Sequence, residues 1–119
     1  MFVIRKEQME VFNEESHQQF VDETVVHMRT DYPEQTKEMS DADLRKMVGD
    51  GTDKAEPYGV VTVTDVRRFL GCMLELGQDF DIAPQTDWAG EILRRKDVSG
   101  TQKMDEIEEQ MIFSPVEKA

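Results

Sequence analysis

The stretch YGVVTVTDVRRFLGCMLELGQDFD, residues 58–81, decides the fold. Its start, residues 60–63, has the β-branched look of a strand, but it is four residues long and has no partner run elsewhere in the chain. Thr62 followed by Asp65 reads instead as a helix N-cap with an acid three positions on. From there Val66, Phe69, Leu70, Met73, Leu76, Gly77 and Phe80 fall on one arc of about 120° at ~100° per residue. That is the cleanest amphipathic pattern in the protein, and it predicts a central helical rod. Gly71 falls opposite the arc, beside Arg67 and Glu75. Gly77 falls inside it, where a missing side chain would let another helix come close.

Outward from this rod, the pattern stays helical. Residues 4–32 read as one long helix closed by Pro33. Met9, Phe12, Ser16 and Phe20 lie on one stripe, and Val21, Thr24, Val25 and Met28 on a second, rotated stripe, so its two ends face different neighbours. Ser40 caps a helix whose first turn carries Asp41 and Asp43. Leu44, Met47, Val48, Gly51, Ala55 and Tyr58 share its inner face. Gly49 and Gly51 weaken this helix by about 1 kcal/mol each relative to alanine, and Pro57 and Gly59 end it. After a loop broken by Pro84, Thr86 or Asp87 caps a short helix with Trp88, Ile92 and Leu93. Ser99 caps a last helix with Met104, Ile107 and Met111 on one side. The prediction is an all-α, compact single-domain bundle of about five helices over residues 1–113, with no significant sheet and a frayed tail at residues 114–119.

Twenty-six acidic side chains face fourteen basic ones, a net charge of −12. Such a field repels nucleic-acid phosphates and anionic lipid headgroups, which argues against direct nucleic-acid binding and against a membrane surface. The opening residues lack the apolar run of a signal peptide, and no segment approaches the ~20 apolar residues of a membrane span. With a single cysteine, Cys72, no intramolecular disulfide or cysteine-rich zinc site can form. The expected location is the cytoplasm.

Each chemically suggestive group has a plainer reading. Cys72 lies at the edge of the apolar arc, far in sequence from His17 and His27, and reads as a half-buried structural thiol. Glu14 and His17 give one Glu-x-x-His, where a carboxylate-bridged metal bundle needs two. Glu23 and His27, one turn apart, read as a surface ion pair. Asp79, Asp81 and Asp87 fail the calcium-loop spacing, since Pro84 and Gly90 stand where a glycine and a glutamate are required. Arg67, Arg68, Arg94 and Arg95 suit a clamp on a carboxylate or on a partner's acidic loop; the plainer reading pairs them with local acids. No catalytic residue, cofactor or metal is predicted, and an enzyme is not expected.

The segments IRKEQMEVF (4–12), residues 58–81 and WAGEILRR (88–95) resemble a group of small helical bacterial proteins encoded beside type VI secretion spike and effector genes. The likeness covers about two-thirds of the chain. It departs between residues 47 and 57, where the glycines and Pro57 are unusual. It implies a cytosolic bacterial accessory protein, acting on an effector or spike component before export or guarding against a toxin.

The leading expectation is therefore a non-enzymatic acidic protein-binding protein, an immunity or adaptor-chaperone type. Its partner would be a basic toxin, effector or spike component, because opposite surface charge steers association. The expected contact acids are Glu7, Glu10, Glu14 and Glu15 of the first helix and Asp105, Glu106, Glu108 and Glu109 of the last. Two alternatives stand beside it: an acidic mimic of nucleic acid, which needs one continuous negative stripe, and a small ligand-binding or enzymatic bundle using Cys72 or the histidines. The eight methionines leave a homodimer through the first or last helix open.

Overall fold

The computed structural model describes residues 14–113. Six α-helices follow one another: α1 Glu14–Asp31, α2 Pro33–Thr36, α3 Asp41–Ala55, α4 Val63–Leu76, α5 Asp87–Arg94 and α6 Gly100–Phe113. One-turn 3-10 segments, Glu56–Tyr58 and Pro84–Thr86, precede α4 and α5. Among the described residues there is no strand, so the chain is an all-α bundle. Residues 4–13 of the expected first helix and the tail at 114–119 lie outside the described residues. Over its described length α1 is unbroken at Phe20, and Phe20, Val21, Thr24, Val25 and Met28 are all buried.

The ends of the helices follow from local chemistry. Ser40 Oγ accepts the amide of Asp43 at 3.0 Å, Thr62 Oγ1 that of Asp65 at 3.1 Å and Ser99 Oγ that of Gln102 at 3.1 Å. Each satisfies a donor that the first helical turn leaves over. Pro33 closes α1 as expected and also opens α2, because its fixed φ suits a first helical position. Gly59, at φ +81°, stops the segment after α3. Thr86 departs from the expectation. Its hydroxyl makes no cap and instead donates to the Phe80 carbonyl at 2.7 Å, closing the loop before α5.

The rod read from residues 58–81 is α4, and it is more enclosed than the wheel predicts. Phe69, Leu70, Gly71, Cys72 and Met73 are buried in succession, more than one full turn. The helix packs against α1, α2, α3 and α6. On the predicted arc, the Phe69 ring lies 5.0 Å from that of Phe80 and 6.3 Å from that of Tyr58. Burying a side chain of this size is worth about 1.5–3 kcal/mol. The opposite face, expected to be open at Gly71, is covered by Tyr32. A methyl group at Gly71 would come within 2.2 Å of the Tyr32 hydroxyl oxygen.

The other glycines divide by what surrounds them. A Cβ at Gly51 would reach 2.3 Å from Leu70 Cδ2 and 2.7 Å from Met73 Sδ, so α3 crosses α4 here at close range. Gly77 is not such a crossing point, because nothing lies within 4 Å of a Cβ built there. It is needed for its φ of +115°, which ends α4. Gly100 carries the first turn of α6 against the Gly59 carbonyl, 2.1 Å from where its Cβ would stand.

Side chains tie the remaining layers together. Arg29 on α1 donates at 2.8 Å to the carbonyls of Thr36 and Met39 and to the Asp41 carboxylate, gathering α2 and the start of α3. Arg45 on α3 reaches back to Gln18 and Asp22 of α1. On the other side α6 runs parallel to α4, with Thr101 against Asp65, Asp105 and Glu108 against Arg68, and Met111 against Cys72. This parallel arrangement arises because α5 and its loops carry the chain back between them.

Two substitutions should separate these roles. Gly49 lies in α3 with nothing within 4 Å of a Cβ, so Gly49→Ala should stabilise the fold by about 0.5–1 kcal/mol. Gly100→Ala must push backbone against backbone and should destabilise by about 1–3 kcal/mol. Urea unfolding midpoints at unchanged m-value measure both.

Candidate functional site

The arginine pairs are committed within the chain. Arg68, one-fifth exposed, faces three carboxylates: Asp65 at 3.1 Å, Glu108 at 3.0 Å, and Asp105. Hydrogen bonding to Glu108, more than offsetting burial, holds its guanidinium firmly protonated. Asp65, 4% exposed, accepts a second bond from the Thr101 hydroxyl, so this cluster seals the α4–α6 seam. Arg95 bonds Asp97 and Glu106 at 3.0 Å. Arg94 approaches Asp87 at 3.6 Å, and Arg67 donates to the buried Thr24 hydroxyl.

The eight acids expected at a partner interface are therefore dispersed. Glu7 and Glu10 lie outside the described residues. Glu14 and Glu15 are the first described residues of α1, and their side chains lie outside the described set. Asp105, Glu106 and Glu108 each serve an in-chain arginine, although Asp105 stays 62% exposed. Glu109 is exposed with no ion pair among the described residues.

Sequence reasoning missed the acids that the cations leave over. Most of the basic side chains among the described residues are taken up in ion pairs. Glu38, Asp43, Asp53, Glu56, Glu75 and Glu91 are exposed and, like Glu109, have no ion pair among those residues. They come from α3, α4, α5 and the turns. The formal excess of acid thus stands in solvent as carboxylates that no cation among the described residues neutralises. Local spacing accounts for pairs such as Lys37–Glu34 and Lys46–Asp50, but only the fold shows the rest, because Arg29, Arg45, Arg68 and Arg95 also take acids from other elements.

A second feature is buried. Lys103 of α6, 6% exposed, donates at 2.8 Å to the carbonyls of Tyr58 and Leu93. It thereby fastens the C-terminal end of α5 and the turn before α4 to α6. Burial lowers its pKa. The Tyr58 hydroxyl donates at 2.8 Å to Asp81 Oδ2, and burial together with that bond pushes the phenol up to about 12. Asp81 is 6% exposed, and its Oδ1 is buried without a hydrogen-bond partner. The only sequence signal for this centre is that Lys103 falls next to Met104 on the inner side of its helix.

The other candidates resolve into packing and surface pairs. Cys72 is fully rather than half buried, because Met111 covers the edge the wheel left open, Sγ to Sδ at 3.9 Å. Burial, followed by the nearby charges of Glu108 and Glu75, pushes its thiol up to about 12, the reverse of an activated nucleophile. His27 pairs with Asp31 at 2.9 Å and not with Glu23, which accepts from Gln19. The side chain of His17 is outside the described set. Asp79 binds Lys54. Among the described residues no group of three or more acidic, histidine or cysteine side chains is placed to hold a metal ion. No helix there is long and apolar enough to cross a membrane. Comparison of the chain with protein-family models, curated proteins and solved structures found no match.

The thiol gives a pH dependence of defined sign. Its folded pKa lies above the ordinary 9.0, so its neutral form is bound preferentially by the folded state. That stability is fully present below pH 9.0 and is lost as pH rises toward about 12. Tyr58 acts in the same sense from 10.0 upward, whereas the burial penalty on Lys103 relaxes over the alkaline range. Comparing the chain with its Cys72→Ala variant isolates the thiol. The stability advantage of the cysteine chain in urea should shrink as pH climbs through this window. Lys103→Met leaves two carbonyls without their donor and should cost about 1–3 kcal/mol at neutral pH.

Proposed function

We propose that the chain is a non-enzymatic, acidic protein-binding protein whose partner presents a basic surface. The observation that carries this reading is the set of exposed carboxylates left after the in-chain cations are paired. They give the surface a field that accelerates encounter with a cationic protein and disfavours anionic ones. The interior supports the reading too, since its thiol is protonated and covered and its buried lysine is spent on backbone carbonyls. Exposed Lys37, Lys46, Arg95 and Lys96 interrupt the acids. A protein partner with matching anionic spots accommodates that mottling better than a site shaped for the phosphate backbone. In the role its family resemblance implies, the chain works in the bacterial cytoplasm as an immunity or adaptor-chaperone protein for a type VI secretion effector or spike component.

The test is co-expression with the basic products of the genes adjoining its own, followed by purification and stopped-flow mixing. A stoichiometric complex is expected, with an association rate that falls steeply as salt is raised. Charge reversal of Glu75 and Glu109 together should slow association without unfolding the chain. If none of those products forms a complex, or the rate ignores salt and charge reversal, the reading fails.

A further inference from the structure

On its α6 side the buried thiol of Cys72 is sealed by an oxidisable side chain. Cys72 is 2% exposed, and Met111 lies over it with Sδ 3.9 Å from Sγ. Met111 belongs to the last turn of α6 and is partly exposed, and Ile112 beside it is 72% exposed. Oxidants that turn a thioether into a sulfoxide act where solvent reaches the sulfur. Met28, Met47, Met73 and Met104 are at most 2% exposed. Among the described methionines that leaves Met111 and Met39, of the turn between α2 and α3, open to such reagents.

The seam suits a thioether and not a sulfoxide. Burial, and after it the charges of Glu108 and Glu75, hold the Cys72 thiol above its ordinary range, so both carboxylates bear on this spot. Burial and the same two acids also raise the Tyr32 phenol, which covers Gly71 next in the chain. The nearby cation, Arg68, is held by Asp65, Asp105 and Glu108. A sulfoxide oxygen is a strong acceptor with partial negative charge. Kept in the seam it meets two carboxylates and, from Cys72, only a weak donor, and burying a polar group so poorly matched is costly. Turning outward returns it to water. The last turn of a helix yields most readily, because its carbonyls lack onward partners.

We propose that Met111 is a site of oxidative modification and acts as an oxidation-sensitive cover over Cys72, with hydrogen peroxide as the oxidant. The Sδ lone pair attacks one peroxide oxygen and the O–O bond breaks. That oxygen stays on sulfur as the sulfoxide, and the other leaves as water after taking up the proton. Sulfur is oxidised by two electrons and the peroxide is reduced. The sulfoxide swings out of the α4–α6 seam, and a thiol that was buried meets solvent. This device stands independently of the protein-binding reading above.

The whole chain, treated with hydrogen peroxide and then with dithiothreitol to reverse direct thiol oxidation, tests this by mass spectrometry. Met111 should gain an oxygen ahead of Met28, Met47, Met73 and Met104. Labelling of Cys72 by N-ethylmaleimide under native conditions should then speed up about tenfold, the mark of a local opening. Circular dichroism reports whether the rest of the bundle stays helical. Methionine sulfoxide reductase should restore the slow rate. Met111→Leu keeps an apolar cover without an oxidisable sulfur, so its Cys72 should label slowly before and after peroxide. Met39→Leu should behave as the parent chain. Oxidation of Met111 that leaves Cys72 slow to label, or an acceleration that persists in Met111→Leu, overturns the proposal. So does a Met111 that reacts no faster than the buried methionines.

Discussion

Everything in the bundle depends on the enclosure of α4. A helix buried through more than a full turn needs neighbours on every side, and α1, α2, α3 and α6 supply them. The contacts that make this work are of two kinds. On the arc rich in large side chains, Phe69 meets Phe80 and Tyr58, and apolar burial holds the interface. On the narrow faces the backbone itself is the surface. Tyr32 lies on Gly71, and Leu70 and Met73 occupy the space beside Gly51. Small residues at both crossings allow a 14-residue helix to be wrapped so closely.

The same enclosure sets where polar chemistry can occur. Cys72 lies inside the wrapped segment, and its thiol becomes a core methylene equivalent with a raised pKa. Arg68 and Asp65 stand at the α4–α6 seam, where acids of α6 reach them from one side. What is left for the outside is the unneutralised acid. A chain with nearly twice as many acids as bases spends most of its described cations on ties between separate elements. Its surface potential is therefore a by-product of its own assembly. The charge that makes the protein a candidate binder of basic surfaces and the charge that fastens its helices are drawn from one pool.

Against this background the loop between α4 and α5 stands apart. Elsewhere the carboxylates below a tenth exposure are fully used: Asp65 takes both an arginine and a threonine. Asp81 is not. Its position follows from the end of α4, where Gly77 turns the chain and Phe80 must return to the core beside Phe69. Asp81 is drawn inward with Phe80, while Ile82, next in the chain, is left in solvent.

How much of this was legible beforehand can be read element by element. The amphipathic period of residues 66–80, the caps at Ser40, Thr62 and Ser99, and the stops at Pro33 and Gly59 are local properties. They depend on residues within a turn or two of each other, so the helical character, the starts of most described helices and most of the core are written in local patterns, while buried Val60 and Ala89 are not. The covering of Gly71 by Tyr32, the parallel run of α6 beside α4, the inward turn of Lys103 and the choice of Asp31 over Glu23 by His27 were not legible. The three packing features join groups on separate elements, while His27 has an acid one turn away on each side and local spacing cannot choose between them. Which carboxylates remain unpaired was decided only in part by local spacing, as for Lys46 and Asp50, and otherwise by helix placement in three dimensions, since a side chain's charge is written in the sequence but its partner is set by distance.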